Sequence, residues 1–171
     1  STAQVAGHPL HPMLVPFPLA SIALAFIADL IYLSTLDPFW ARGAFWLLAI
    51  GLVTGLLAAL AGLADFTTIR PVRQLNTAWA HLVGNAGVIG LVILNLSVRW
   101  TDPVAGVTGG GLLLSIITVL ILMVTAWLGG SLVYGYHLGA MDTPSAGEEM
   151  GSPAHSGVHS NPGPTHGGPE P

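Results

Sequence analysis

The chain contains no cysteine and no lysine. The first absence excludes disulfides, thiolate nucleophiles, cysteine-ligated iron–sulfur clusters and thiolate zinc sites. The second leaves four basic residues, all arginine, in the whole chain. Nucleic-acid phosphates demand clustered cations, so nucleic acid is not an expected partner. Charge of either sign is scarce. Of 171 residues, 7% are charged and 52% are apolar, where a soluble domain carries about 25% charge. A surface so poor in charge does not keep a protein dissolved in water, and the expected partner is the lipid bilayer. No glycine-rich phosphate loop follows a strand, and nothing sets a serine against a base. No catalytic residue is therefore expected, and any enzymatic role would be that of a redox subunit.

Four apolar runs are present, each near the roughly 20 helical residues that cross a bilayer. They cover about 13–33, 45–64, 79–98 and 112–136. Leu36-Asp37-Pro38, Arg70-Pro71, Thr101-Asp102-Pro103 and Gly109-Gly110-Gly111 punctuate the gaps. Tryptophans 40, 46, 79, 100 and 127 fall towards run ends, where amphipathic rings prefer to sit. The expected fold is all-α: an integral membrane four-helix bundle over 13–140. Before it, 1–12 reads as an extended His/Pro lead-in, because His8 and His11 each precede a proline. After it, 141–171 reads as a disordered Pro/Gly/His-rich tail. The first run lacks a basic leader and is too long for a signal-peptide core, so it reads as a span. Four spans place both termini on one face. Arg70 and Arg73 in the long second connection weight that face towards the cytoplasm.

Small residues recur at helical spacing. Gly51, Gly55, Ala59 and Gly62 lie on the second run, and Gly84, Gly87 and Gly90 on the third. They predict close helix contacts, within the bundle or in a homodimer.

Polar groups at depth are the better functional pointers, because their desolvation is costly. On the third run, His81, Asn85, Asn95 and Arg99 fall within about 40° of one helical face. Lipid does not tolerate such a stripe, so it should face the interior. Asp29 follows His11 at the same spacing that separates Arg99 from His81. Asp29 is therefore expected at the level of Arg99, paired with it or hydrogen-bonded by Asn95. Asp29, Asn95 and Arg99 form a structural polar site in this reading.

At the opposite end, His8, His11, His81 and His137 converge, with Asn85 one turn from His81. Imidazole is the commonest metal ligand and also holds haem iron. Two histidines on different helices at one depth suit haem b, with Trp79, Trp127 and Tyr134 able to line it. All four histidines suit zinc or copper, and Met13 adds a soft ligand that favours copper. Four separate interfacial histidines with no cofactor are the plain alternative.

The stretches GHPLHPMLVPFP, FIADLIY, DPFWARGAFWLLAIGLVTGLLAALAGLADF and AHLVGN resemble a bacterial membrane family, domain of unknown function 2231, from Gly7 to Gly139. The resemblance implies four transmembrane helices, a bacterial inner-membrane location and no assigned activity. Some members carry a Rieske-type iron–sulfur domain, which suits electron transfer; this chain has no cysteine to build one. The leading expectation is a small redox or electron-transfer subunit served by a redox partner protein. The alternatives are a cofactor-free structural or interaction subunit and a small dimeric transporter using the His81/Asn85/Asn95/Arg99 stripe.

Overall fold

The computed structural model of the chain describes residues 4–5 and 8–136; His137 and the tail 141–171 lie outside the described residues. Among the described residues, four helices are long and apolar enough to cross a membrane: Leu10–Thr35, Pro38–Thr68, Asn76–Arg99 and Pro103–Val133.

The chain starts with a short antiparallel ladder in which β1 (Gln4–Val5) pairs with β2 (His8–Pro9). The extended lead-in ends there. Helix α1 (Leu10–Leu14) takes in His11, contrary to the expectation from its following proline. Pro12 falls in the first helical turn, where an amide would have no intrahelical acceptor, so its missing N–H costs little. Helix α2 (Pro16–Thr35) continues the same span. Val15 between them keeps helical angles, φ −53° and ψ −38°. The Val15 amide donates to the His11 carbonyl at 3.1 Å, and the Leu19 amide to the Val15 carbonyl at 3.3 Å. Pro16 and Pro18 simply omit two donors from the ladder.

Leu36 closes α2 in the left-handed region, φ 56°, its amide bonded to the Tyr32 carbonyl at 2.7 Å. Asp37 then caps helix α3 (Pro38–Thr68) by accepting from the Phe39 amide. A 3₁₀ turn, Val72–Gln74, leads into helix α4 (Asn76–Arg99). The last span starts earlier than the apolar run. Asp102 caps helix α5 (Pro103–Gly106), accepting from the Val104 and Ala105 amides. A wide turn, Val107–Gly111, then joins helix α6 (Leu112–Tyr136). The three glycines are not a loop but a kink inside one span. Gly110 adopts φ +116°, a conformation that L side chains rarely adopt. Asp102→Ala should destabilise the protein by about 0.5–2 kcal/mol, the worth of a helix N-cap; thermal unfolding in detergent measures it.

The outer surface is apolar, unlike that of a water-soluble protein. Leu56, Leu57, Leu60, Val83, Leu120, Met123 and Val124 face outward. Inside, small and polar residues, among them Ala25, Ala28, Ala44, Asn95, Ser115, Thr118 and Thr125, stand beside an aliphatic cluster of Ile22, Leu48, Val88, Val92 and Leu122. Lipid supplies no force pressing helix on helix, so association comes from close backbone approach and interhelical hydrogen bonds. Gly51 lets α3 meet Ile22, and Gly84 lets α4 meet Thr125. Gly87 and Gly90 have open space beside them and do not serve as contacts within the bundle.

Helix α2 packs along α3 and against α6, and α4 packs along α6 and against α3. Helices α2 and α4 thus lie across one diagonal, α3 and α6 across the other. The two hairpins share one register. In the first helix of each, buried Ile22, Ala25 and Asp29 correspond to buried Val92, Asn95 and Arg99. In the second, buried Ala44, Leu48, Gly51 and Ala58 correspond in spacing to buried Gly111, Ser115, Thr118 and Thr125. Both second helices begin with a capping Asp-Pro pair. The second hairpin has two more residues between that cap and its buried series, taken up at the glycine kink.

Candidate functional site

Polar side chains of the first and third spans meet across the α2–α4 diagonal at two places, on either side of the buried cluster of Ile22, Ala25, Val88 and Val92. Near the C-terminal ends of α2 and α4, Arg99 forms a two-pronged ion pair with Asp29: Nη1 to Oδ1 at 2.6 Å and Nη2 to Oδ2 at 2.7 Å. Both side chains are 0% exposed. Arg99 Nε donates to Asn95 Oδ1 at 2.7 Å. The Asn95 amide donates to Ser115 Oγ at 3.0 Å, and Ser115 Oγ donates to Asp29 Oδ2 at 2.7 Å. Helices α2, α4 and α6 are thereby tied by one closed network, and no described buried side-chain polar atom lacks a partner. Ser115 was not singled out in the sequence; its spacing from the Gly111 turn carries no signal until α6 is placed.

Room for the guanidinium comes from two glycines. A Cβ at Gly106 would sit 2.8 Å from Arg99 Cγ, and one at Gly111 would sit 2.8 Å from Arg99 Nε and Nη2. The glycine kink is thus the bed on which Arg99 lies.

The second meeting point is the histidine pair. His11 Nδ1 donates to the Ala58 carbonyl of α3 at 2.7 Å, and His81 Nδ1 donates to the Thr125 carbonyl of α6 at 2.9 Å. A carbonyl only accepts, so both rings carry a proton on Nδ1, and in the neutral imidazole the lone pair is then on Nε2. Each ring reaches its carbonyl because the residue one turn further on is glycine. A Cβ at Gly62 would lie 2.8 Å from His11 Nδ1, and one at Gly129 would lie 2.7 Å from His81 Cε1. The two hairpins therefore bind their histidines in the same way. The ring centres are 6.2 Å apart with planes at 88°. Asn85 Nδ2 lies 3.2 Å from His81 Nε2 and donates to the His81 carbonyl at 2.7 Å.

Of the other expected ligands, His8 does not join this pair as part of a metal set among the described residues. His8 is exposed and pairs through its backbone with Val5. His137 lies outside the described residues. Among the described residues, no three His, Cys, Asp or Glu side chains come together as a metal set. Met13 is 55% exposed and Trp127 81% exposed, so both face outward. Trp79 packs on Phe66 and donates to the Arg73 carbonyl.

A family model described as predicted membrane protein, DUF2231, matches residues 7–142. The chain belongs to the DUF2231 family. The matched region contains both meeting points of the DUF2231 bundle, from His11 and Asp29 to His81 and Arg99, and stops at the start of the tail. No curated protein and no solved structure matches the chain. The DUF2231 family is one of predicted membrane proteins, and the four apolar helices make this chain an integral membrane protein.

Proposed function

We propose that this protein is a small redox subunit of a bacterial inner membrane, holding a haem b or a metal ion at the His11–His81 pair. The observation that carries the reading is the pair itself. Two imidazoles from diagonal helices stand 6.2 Å apart, each locked through Nδ1 to a neighbouring helix. Metal-binding histidines are habitually held this way, because the anchored N–H fixes the tautomer and the direction of the other nitrogen. Haem iron or copper there would carry single electrons. His11 and His81 would hold the group, and Asn85 would hydrogen-bond beside it. A separate redox partner protein would dock at this end.

A cofactor-free anchoring subunit is the second reading, favoured by Asn85, which already meets the His81 Nε2 lone pair. An ion path along the α4 stripe is disfavoured, since the Asp29–Arg99 network is closed and fully buried.

Absorption spectra and elemental analysis of the purified protein test the proposal. A Soret band that shifts on reduction, or one stoichiometric metal, should be present in wild type and lost in His81→Ala. Neither signal in wild type leaves the anchoring reading in its place.

A further inference from the structure

We propose that His11 and His81 bind one copper(I) ion in line between their Nε2 atoms. This deepens the reading of the pair as a metal or haem centre and rests on it.

The argument begins with direction. Helices α3 and α6 occupy one diagonal, and the two Nδ1 atoms are bonded to them. Anchoring through Nδ1 leaves Nε2 as the nitrogen of each ring that can take an ion, and in His81 that nitrogen faces the Asn85 amide at 3.2 Å. Distance comes next. A metal–nitrogen bond of about 2 Å, plus roughly 1 Å from nitrogen to ring centre, separates two imidazole centres by about 6 Å when an ion lies in line. A tetrahedral angle would bring them to about 5 Å. The observed 6.2 Å fits the in-line case.

Ligand number points the same way. Two histidines come together, and no third His, Cys, Asp or Glu joins them among the described residues. Zinc prefers four ligands, whereas a filled-shell monovalent ion accepts two in line. Imidazole suits copper. The penalty for bringing an ion out of water rises with the square of its charge, so a monovalent ion is tolerated far better between half-buried side chains in a bundle. Gly62 and Gly129 also bring the α3 and α6 backbones against the two rings, which fits a single ion better than a flat macrocycle wider than a helix.

Asn85 then has a defined part. Its amide nitrogen lies 3.2 Å from His81 Nε2 but makes its shorter bond, 2.7 Å, to the His81 carbonyl. Copper displaces only the longer contact, and Asn85 remains anchored.

The test is an anaerobic titration of the full-length protein in detergent with copper(I), zinc(II) and haemin in turn. A chromophoric copper(I) chelator serves as competitor, and X-ray absorption reads the copper coordination. One copper per chain with two nitrogen neighbours is the expected result, with zinc(II) weaker. His11→Ala and His81→Ala should each weaken copper binding by about 100-fold or more, since even outer partners of a metal contribute 10–100-fold. Circular dichroism checks that both variants stay folded, and the wild-type absorption spectrum decides the coordination should either fail to fold. Asn85→Ala should tighten copper binding by up to about tenfold, the worth of one displaced hydrogen bond. Tighter zinc binding, or three or more copper neighbours, overturns copper(I) while leaving a metal centre. A low-spin haem spectrum overturns copper and leaves the haem form of the centre. No binding of any of the three overturns both proposals.

Discussion

Asp29→Asn should destabilise the bundle by about 3–5 kcal/mol, the usual loss when one partner of a buried ion pair is removed. The mechanism is specific. Arg99 donates to both Asp29 oxygens, and neither side chain touches solvent. With asparagine at 29, the guanidinium keeps its charge and loses its counter-charge. The amide would also leave one acceptor oxygen where Arg99 and the Ser115 hydroxyl now donate to two. Removing both charges should be far milder: Asp29→Leu combined with Arg99→Met is expected to recover most of the loss, because no uncompensated charge is left. Thermal unfolding of the single and double variants in one detergent makes the comparison. Unchanged stability in Asp29→Asn would show that the pair does not hold the helices together.

Gly111→Ala should cost at least about 1–3 kcal/mol, the range for overpacking a tight interior. Its Cβ would sit 2.5 Å from the Gly106 carbonyl and 2.8 Å from two guanidinium nitrogens. Arg99 would have to shift, and with it the bonds to Asp29 and Asn95. At an unobstructed helical position, Gly→Ala acts the other way. Gly90 lies within α4 and has nothing within 4 Å of a built Cβ, so Gly90→Ala should stabilise by roughly 0.5–1 kcal/mol. Opposite signs at the two glycines, measured side by side, separate the packing argument from a general propensity effect. Matching signs would refute it.

The resulting picture is a pair of equivalent hairpins joined across one diagonal by two unlike contacts. At one end the equivalent positions carry the same residue, His11 and His81. At the other they carry opposite charges, Asp29 and Arg99, separated by 70 residues. The asymmetry at the charged end has a structural counterpart in the glycine kink, which opens the second hairpin to admit the larger side chain.

Much of this is legible in the chain. Apolar runs give the spans, because lipid demands about 20 apolar residues whatever the neighbours are. The common spacing of His11 to Asp29 and of His81 to Arg99 gives the level of each contact, because an α-helix rises by a constant amount per residue. The aspartate-proline pairs mark where the second helix of each hairpin begins.

Composition and one-dimensional periodicity are therefore enough for the solvent, the number of spans and the relative level of the polar groups along each helix. Helix packing sets which partners those groups meet. It turned the Gly109–Gly111 break into a kink that seats Arg99, brought in Ser115, left His8 out of any metal set with the His11–His81 pair and turned Met13 and Trp127 outward. The physical reason is that depth along a helix is a local property. The azimuth of a side chain, and the neighbour it reaches, depend on how separate helices rotate and pack against one another.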